Sequence, residues 1–275
     1  MYVPYLCLVP KMSTLSTATI VFRAICRREF LKFSQQYARL LSALARPLVW
    51  LVIFAAGFRS ILGVSIVPPY QTYITYDVYV VPGLCTMVLM FFGMQTSLSM
   101  VYDREMGTMR LLMTAPFPRP LLLLFRLIST GFIGVLQVYA FLFVAMLMGI
   151  EFELLNLLFI APLLLLVAIL FGALGFLLSL TIRQLENFAG VMNFVIFPSF
   201  FLSSALYPLW RIQESSPLLA EISFWNPFTH AVEAIRYQLY GDFKTLSVVY
   251  LIGVTCASLL TVMFAYAKRD VMKTP

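Results

Sequence analysis

The chain has 275 residues, of which 61% are hydrophobic and 11% charged, against about 25% charged in an ordinary soluble domain. A water-soluble core of this size cannot hide that much apolar surface, so the composition excludes a soluble globule and leaves one membrane domain with no room for a second folded unit. The net charge of +7 sits in short Lys and Arg clusters between apolar runs, an arrangement that argues against a nucleic-acid partner and for membrane topology and lipid headgroups.

Residues 1–17 are expected to form a flexible extension. The apolar start Met1–Pro10 is short and is followed, not preceded, by Lys11, the reverse of a signal peptide. It suits a frayed end, or a segment upstream of a start at Met12. Residues 18–43 mix Ile20, Phe22, Ile25, Phe30, Leu31 and Phe33 with Arg23, Arg27, Arg28 and Lys32. That pattern predicts an amphipathic helix lying in the cytoplasmic interface. A soluble basic leader is the alternative, and the aromatic residues fit it less well.

A permease-like domain over 44–270 is predicted to hold six spans, at about 44–66, 79–101, 121–149, 155–181, 188–208 and 246–267. Each needs about 20 apolar residues to cross about 30 Å of hydrocarbon. Five apolar stretches, at 78–102, 127–150, 154–182, 187–210 and 245–267, carry no ionisable side chain between their flanking charges. The first is compromised, because Arg46 and Arg59 enclose only Pro47–Phe58. At least one of the two must lie in the helix and snorkel toward a headgroup region. An even number of spans puts both termini on one side. The excess of Arg and Lys before Pro47, around Arg104–Arg119 and in the tail makes that side cytoplasmic. The whole is an all-α integral membrane fold in the cell (inner) membrane.

Two connections are more elaborate than turns. The second cytoplasmic one starts with Asp103, Arg104 and Glu105 and continues through Met109, Leu112 and Met113, which share one helical face. Pro116, Pro118 and Pro120 then end any helix. A short cytoplasmic helix with an apolar face suits a protein groove, or else lipid headgroups alone. The external segment between the last two spans contains Asn226 as an N-cap, Pro227 at the first helical position and Gly241 at the C-terminus. Phe228, Val232, Ile235 and Leu239 share one face of this helix; Glu233, Arg236 and Asp242 can face water. His230, the only histidine, is expected to be a hydrogen-bonded structural residue, with a pH sensor or ligand contact as the alternative.

The chain lacks recognisable energy-coupling chemistry. There is no Walker A pattern, no HExxH and no Gly-x-Ser-x-Gly. Cys7, Cys26, Cys85 and Cys256 have no metal-ligand spacing. The middles of spans two to six hold no carboxylate, Lys or His, which argues against proton- or sodium-coupled transport. Gln95, Gln137 and Asn193 are the neutral polar candidates there, for interhelical hydrogen bonds or for lining a path.

Over about residues 15–270 the sequence resembles the permease subunits of ABC type-2 transporters, a family of drug, lipo-oligosaccharide and polysaccharide exporters. The resemblance rests on the basic leader running into Arg46-Pro47-Leu48-Val49-Trp50; on Asp103-Arg104-Glu105-Met106-Gly107-Thr108 with Thr114-Ala115-Pro116 and Arg119; and on Asn226-Pro227 followed by Arg236. It implies that this chain is not itself an enzyme and binds no cofactor. A dimer, homomeric or with a similar permease, would form an export path driven by a separate cytoplasmic ABC ATPase that holds ATP and Mg. It also implies that Asp103, Arg104, Glu105, Gly107, Thr108, Leu112 and Pro116 belong to a coupling helix docking on that ATPase. Asn226, Pro227, His230 and Arg236 would belong to external re-entrant helices. The alternative is a non-transport membrane anchor or scaffold of a periplasmic maturation system.

Overall fold

A computed structural model of the chain describes residues 14–35, 45–53, 57, 69, 74–107, 118–182 and 184–268. The leader forms α1 (Thr14–Ser34), and residues 45–53 are helical. Then come α2 (Tyr76–Glu105), α3 (Arg119–Leu147), the six-residue α4 (Leu154–Phe159), α5 (Ala161–Thr181) and α6 (Leu185–Phe201). Three shorter helices, α7 (Leu209–Ser215), α8 (Pro217–Trp225) and α9 (Pro227–Leu239), lead to α10 (Thr245–Lys268).

Four helical stretches among the described residues are long and apolar enough to cross a membrane: α2, α3, Leu154–Thr181 and Thr245–Tyr266. They coincide with four of the six expected spans, and this is a multi-pass membrane protein. The 17-residue α6 is shorter, at about 25 Å. The first expected span is described only at residues 45–53 and 57.

α2 is the central column. It is buried along most of its length and packs chiefly on α5, with α3, α6 and α9 around it. Glycines permit the closest approach. A Cβ on Gly93 would lie 2.7 Å from the Gly172 backbone nitrogen, and one on Gly175 would lie 2.3 Å from Ser97 Oγ. In a bilayer, where apolar contact with lipid competes with apolar contact between helices, such small-residue seams bring backbones together. Ser97 donates from Oγ to the Gly93 carbonyl at 3.1 Å, so its hydroxyl is not orphaned there.

The sequence expectation needs adjustment at two points. The fourth expected span is interrupted at Ile160, between α4 and α5, where Pro162 supplies no N–H to the preceding turn. The fifth was expected to run to residue 208, but α6 ends at Phe201, one turn after Pro198. Residues 202–207 form a turn instead. Side chains from other helices satisfy its backbone: Asn226 donates to the Ser199 and Leu202 carbonyls at 2.8 and 2.7 Å, Tyr79 to Ser204 at 3.0 Å and Tyr76 to Leu206 at 2.8 Å. Gly83 faces this turn, where a Cβ would come within 2.7 Å of Ala205 Cβ.

Candidate functional site

The charged triplet at the end of α2 engages a different helix with each side chain. Asp103 is buried and accepts from Arg126 of α3, with Nη2 to Oδ2 at 2.9 Å. Arg126 is itself buried, lies 3.8 Å from Glu29 of α1 through Nε and donates to Ser99 Oγ at 3.2 Å. Arg28 and Lys32 of α1 approach the Asp103 carboxylate at 3.5 and 3.9 Å. Burial pulls the Lys32 ammonium below its ordinary pKa, against the opposing pull of Glu29 and Asp103. Arg104 donates to the Ser179 carbonyl near the C-terminal end of α5, at 3.1 Å. Glu105 Oε1 accepts from the backbone N–H of Leu185, the first residue of α6, at 3.0 Å. A carboxylate at a helix N-terminus meets unpaired N–H groups and the positive end of the helix dipole.

The chain leaves this cluster through Met106 and Gly107. Gly107 has φ of +70°, a left-handed conformation that glycine adopts without penalty, and nothing lies within 4 Å of where a Cβ would be. Thr108, Leu112 and Pro116 lie outside the described residues, as do Met109 and Met113.

The leader packs against α3. Phe22 meets Phe125 of α3 edge-on at 5.3 Å, and Cys26 Sγ lies 3.0 Å from Ser129 Oγ. α1 is thus docked on α3, with Ile20 and Phe30 left exposed. Sequence reasoning missed Glu29 and Arg126 as members of this cluster. The available signal was Glu29, a lone acid among four cations on a helix, and Arg126, well inside an otherwise apolar helix.

A second charge layer closes the opposite end. Asn226 caps α9, accepting from Phe228 N at 3.0 Å, and Gly241 follows the helix with φ of +78°. Both match the sequence reading. Arg236 does not: it was expected to be able to face water, yet its side chain is 2% exposed. Its guanidinium pairs with Glu233, donates to the Ser204 carbonyl at 2.8 Å and lies over the Tyr79 ring at 4.2 Å. Lys244 at the foot of α10 donates to the other Glu233 oxygen at 3.0 Å. Burial alone would raise the Glu233 pKa, but Arg236 and Lys244 together hold it below the ordinary value. His230 lies against Tyr250 at 4.0 Å between ring centroids, with Nδ1 3.3 Å from Ser247 Oγ. Burial lowers its pKa.

Between the two layers lies a partly polar face. The Arg46 guanidinium sits 4.0 Å from the Phe91 ring centroid, about 18 Å along α2 from Asp103 and about the same from Tyr79. At least one of Arg46 and Arg59 was expected within the first span, snorkelling toward headgroups; Arg46 lies beside the midpoint of α2, and Arg59 lies outside the described residues. Trp50 contacts Phe200 and Phe201, so residues 45–53 run beside α6. Arg46, Val49, Val52 and Ile53 are exposed at helical spacing, as are Asn187, Gly190, Asn193 and Phe194 on α6. Gln137 is buried with Oε1 unpaired. Among the described residues no three His, Cys, Asp or Glu side chains converge to hold a metal ion.

The family model of ABC-2 type transporters matches residues 20–240. Among curated proteins, the ycf38 protein of Porphyra purpurea, which carries a transport-permease name, is 27% identical over 78% of this chain and 72% of its own length. The ycf38 proteins of Cyanophora paradoxa, at 28% identity over 78% and 72%, and Pyropia yezoensis, at 25% over 80% and 74%, carry the same name. With the family match covering most of its length, and with apolar helices to span a bilayer, this chain belongs to the ABC-2 type transporter family.

Proposed function

We propose that the chain is the permease subunit of an ATP-driven exporter of the inner membrane, with both termini in the cytoplasm. Two copies, or this chain and a similar permease, form the translocation path. A separate cytoplasmic ABC ATPase, binding ATP and Mg, supplies the energy. The six-span arrangement over 44–270 and the coupling role of Asp103–Pro116 are parts of the same proposal. The transport-permease names of the relatives agree with it.

The observation that carries the reading is the Asp103-Arg104-Glu105 triplet. Its three side chains hold α1 and α3, the end of α5 and the start of α6. A force on the segment after Gly107 is therefore delivered to all of these helices at once, and α6 borders the exposed polar face. A loop that only joined two spans would not need such contacts. The exposed Arg46 and Asn193 favour a paired arrangement, because polar groups facing hydrocarbon at mid-depth are costly and are covered by protein or by a water-filled path.

Co-expression with candidate stand-alone ATPases, followed by purification through a tag on this chain, tests the reading. A stable complex whose ATPase rate depends on this chain supports it. No complex with any candidate, and ATPase rates unaffected by the chain, would sink it.

A further inference from the structure

We propose that Arg46, with Gln95 and Gln137, binds the anionic headgroup, a phosphate or a carboxylate, of an amphiphilic substrate halfway across the membrane. The inference deepens the transport reading and rests on it, since it takes the exposed face at residues 45–53 and α6 as part of the path.

The first argument is charge. Among the described residues Arg46 has no carboxylate within ion-pair distance. No Asp or Glu occurs between Glu29 and Asp77, or between Asp77 and Asp103, and α3 and α5 contain none. The chain thus offers no mid-depth counter-charge, while a guanidinium is effectively always protonated. A lone cation at that depth is costly unless an anion or water comes to it. Arg126 and Arg236, by contrast, each have a carboxylate of the chain's own.

The second argument is the cavity. Arg46 lines a pocket of about 40 Å³ with Phe91, Phe92, Gln95 and Gln137, room for about two or three waters or one small polar group. The buried Gln137 amide leaves its oxygen unpaired there, and its NH2 can serve an anion if the amide is turned. A neighbouring pocket of about 50 Å³ shares Phe92 and Gln95 and continues past Thr96 and Ser99 to Arg126 and Lys32. A polar seam therefore runs from the cytoplasmic charge layer to Arg46. Beside it, Val49, Val52 and Ile53 are exposed and apolar. An anionic head in the seam would leave an apolar body beside these side chains, at a depth where apolar groups are favoured.

Native mass spectrometry of the full chain in detergent, with equal concentrations of lysophosphatidate, oleate or uncharged monoolein, reads the preference. Wild type is expected to hold the two anionic amphiphiles about tenfold more tightly than monoolein, the scale of one hydrogen-bonded charge. Arg46→Gln abolishes that preference. Arg46→Lys keeps part of it as a point charge without the fork. Gln137→Leu weakens it about threefold. Equal binding of monoolein by wild type, or an undiminished preference in Arg46→Gln, overturns the proposal. Should Arg46→Gln fail to fold, an unaltered preference in both Arg46→Lys and Gln137→Leu overturns it instead. Excess dioleoyl phosphatidylglycerol separates two sources of the same headgroup chemistry. Displacement of lysophosphatidate assigns the site to membrane lipid and retention assigns it to a distinct cargo; both outcomes support an anion site. Complex formation with the ATPase, measured in parallel on Arg46→Gln, isolates the transport reading: its failure in wild type sinks that reading, whereas lost anion preference in an intact complex leaves it standing.

Discussion

Removing the Asp103 charge while keeping its shape, as Asp103→Asn, strips Arg126 of its nearest partner. Both side chains are buried, at 10% and 6% exposure, and 2.9 Å apart. Breaking a buried pair from one side costs about 3–5 kcal/mol when the remaining charge is left alone. Here Arg126 keeps Ser99 Oγ at 3.2 Å and Glu29 at 3.8 Å, so the loss is expected nearer to about 2 kcal/mol. Arg28 and Lys32 contribute less, because they are about a third exposed at 34% and 38% and stand 3.5 and 3.9 Å away. Arg28→Ala should therefore cost under about 0.5 kcal/mol. The assay is SDS titration in mixed micelles for wild type, Asp103→Asn, Arg126→Gln and the double variant. The two changes are expected to be non-additive, with an interaction energy of about 1–2 kcal/mol. Additive losses within about 0.3 kcal/mol would refute the reasoning, since residues that share no interaction behave that way.

Further outcomes follow from other parts of the structure. Gly93→Ala, whose Cβ would meet the Gly172 nitrogen at 2.7 Å and the Phe171 carbonyl carbon at 2.8 Å, should destabilise by about 1–3 kcal/mol in the same titration. Gly253→Ala, with nothing within 4 Å, should be neutral or slightly stabilising. His230 has a folded pKa below its ordinary 6.5 because burial disfavours the charged ring. Its contribution to stability is therefore present above about pH 6.5 and is lost as pH falls through the folded pKa. His230→Phe should flatten that part of a stability–pH curve read by thermal unfolding. Glu233, also depressed, loses its contribution only at more acid pH, as pH falls from its ordinary 4.5 through the folded value. The two groups are therefore separable in one acid titration.

Much of the fold was legible because a bilayer imposes long apolar runs, and such runs bounded by charges are visible without any packing information. α2, α3, the Leu154–Thr181 stretch and α10 sit where hydropathy placed them. The cap at Asn226 was legible for the same local reason, since it needs only the residue and its next neighbours. What the sequence could not reveal depends on distant partners. Arg236 looked solvent-facing because its helix position says nothing about Tyr79 and Ser204, which belong to other segments of the chain. The end of α6 was misjudged because residues 202–207 are as apolar as a helix, while Asn226, Tyr76 and Tyr79 hold their carbonyls in a turn. Asp103, Arg104 and Glu105 were recognisable as an unusual run, but their division among separate helices was not. Arg46 and Arg59 together mark the first span as compromised in the sequence, and only the contact with Phe91 places Arg46 beside the middle of α2.

The central claim is that the triplet transmits ATPase motion to the helices beside the path, with Glu105 as the link to α6. Spin labels at Asn187→Cys in both protomers, in the ATPase-bound complex reconstituted in nanodiscs, measure this by pulsed electron resonance with and without ATP and vanadate. The account predicts that the inter-protomer distance changes with nucleotide in the Glu105 protein. In Glu105→Gln or Gly107→Val the change should be lost or much reduced, with ATPase still bound. A distance that ignores nucleotide, or one that responds equally in Glu105→Gln and Gly107→Val, would contradict it.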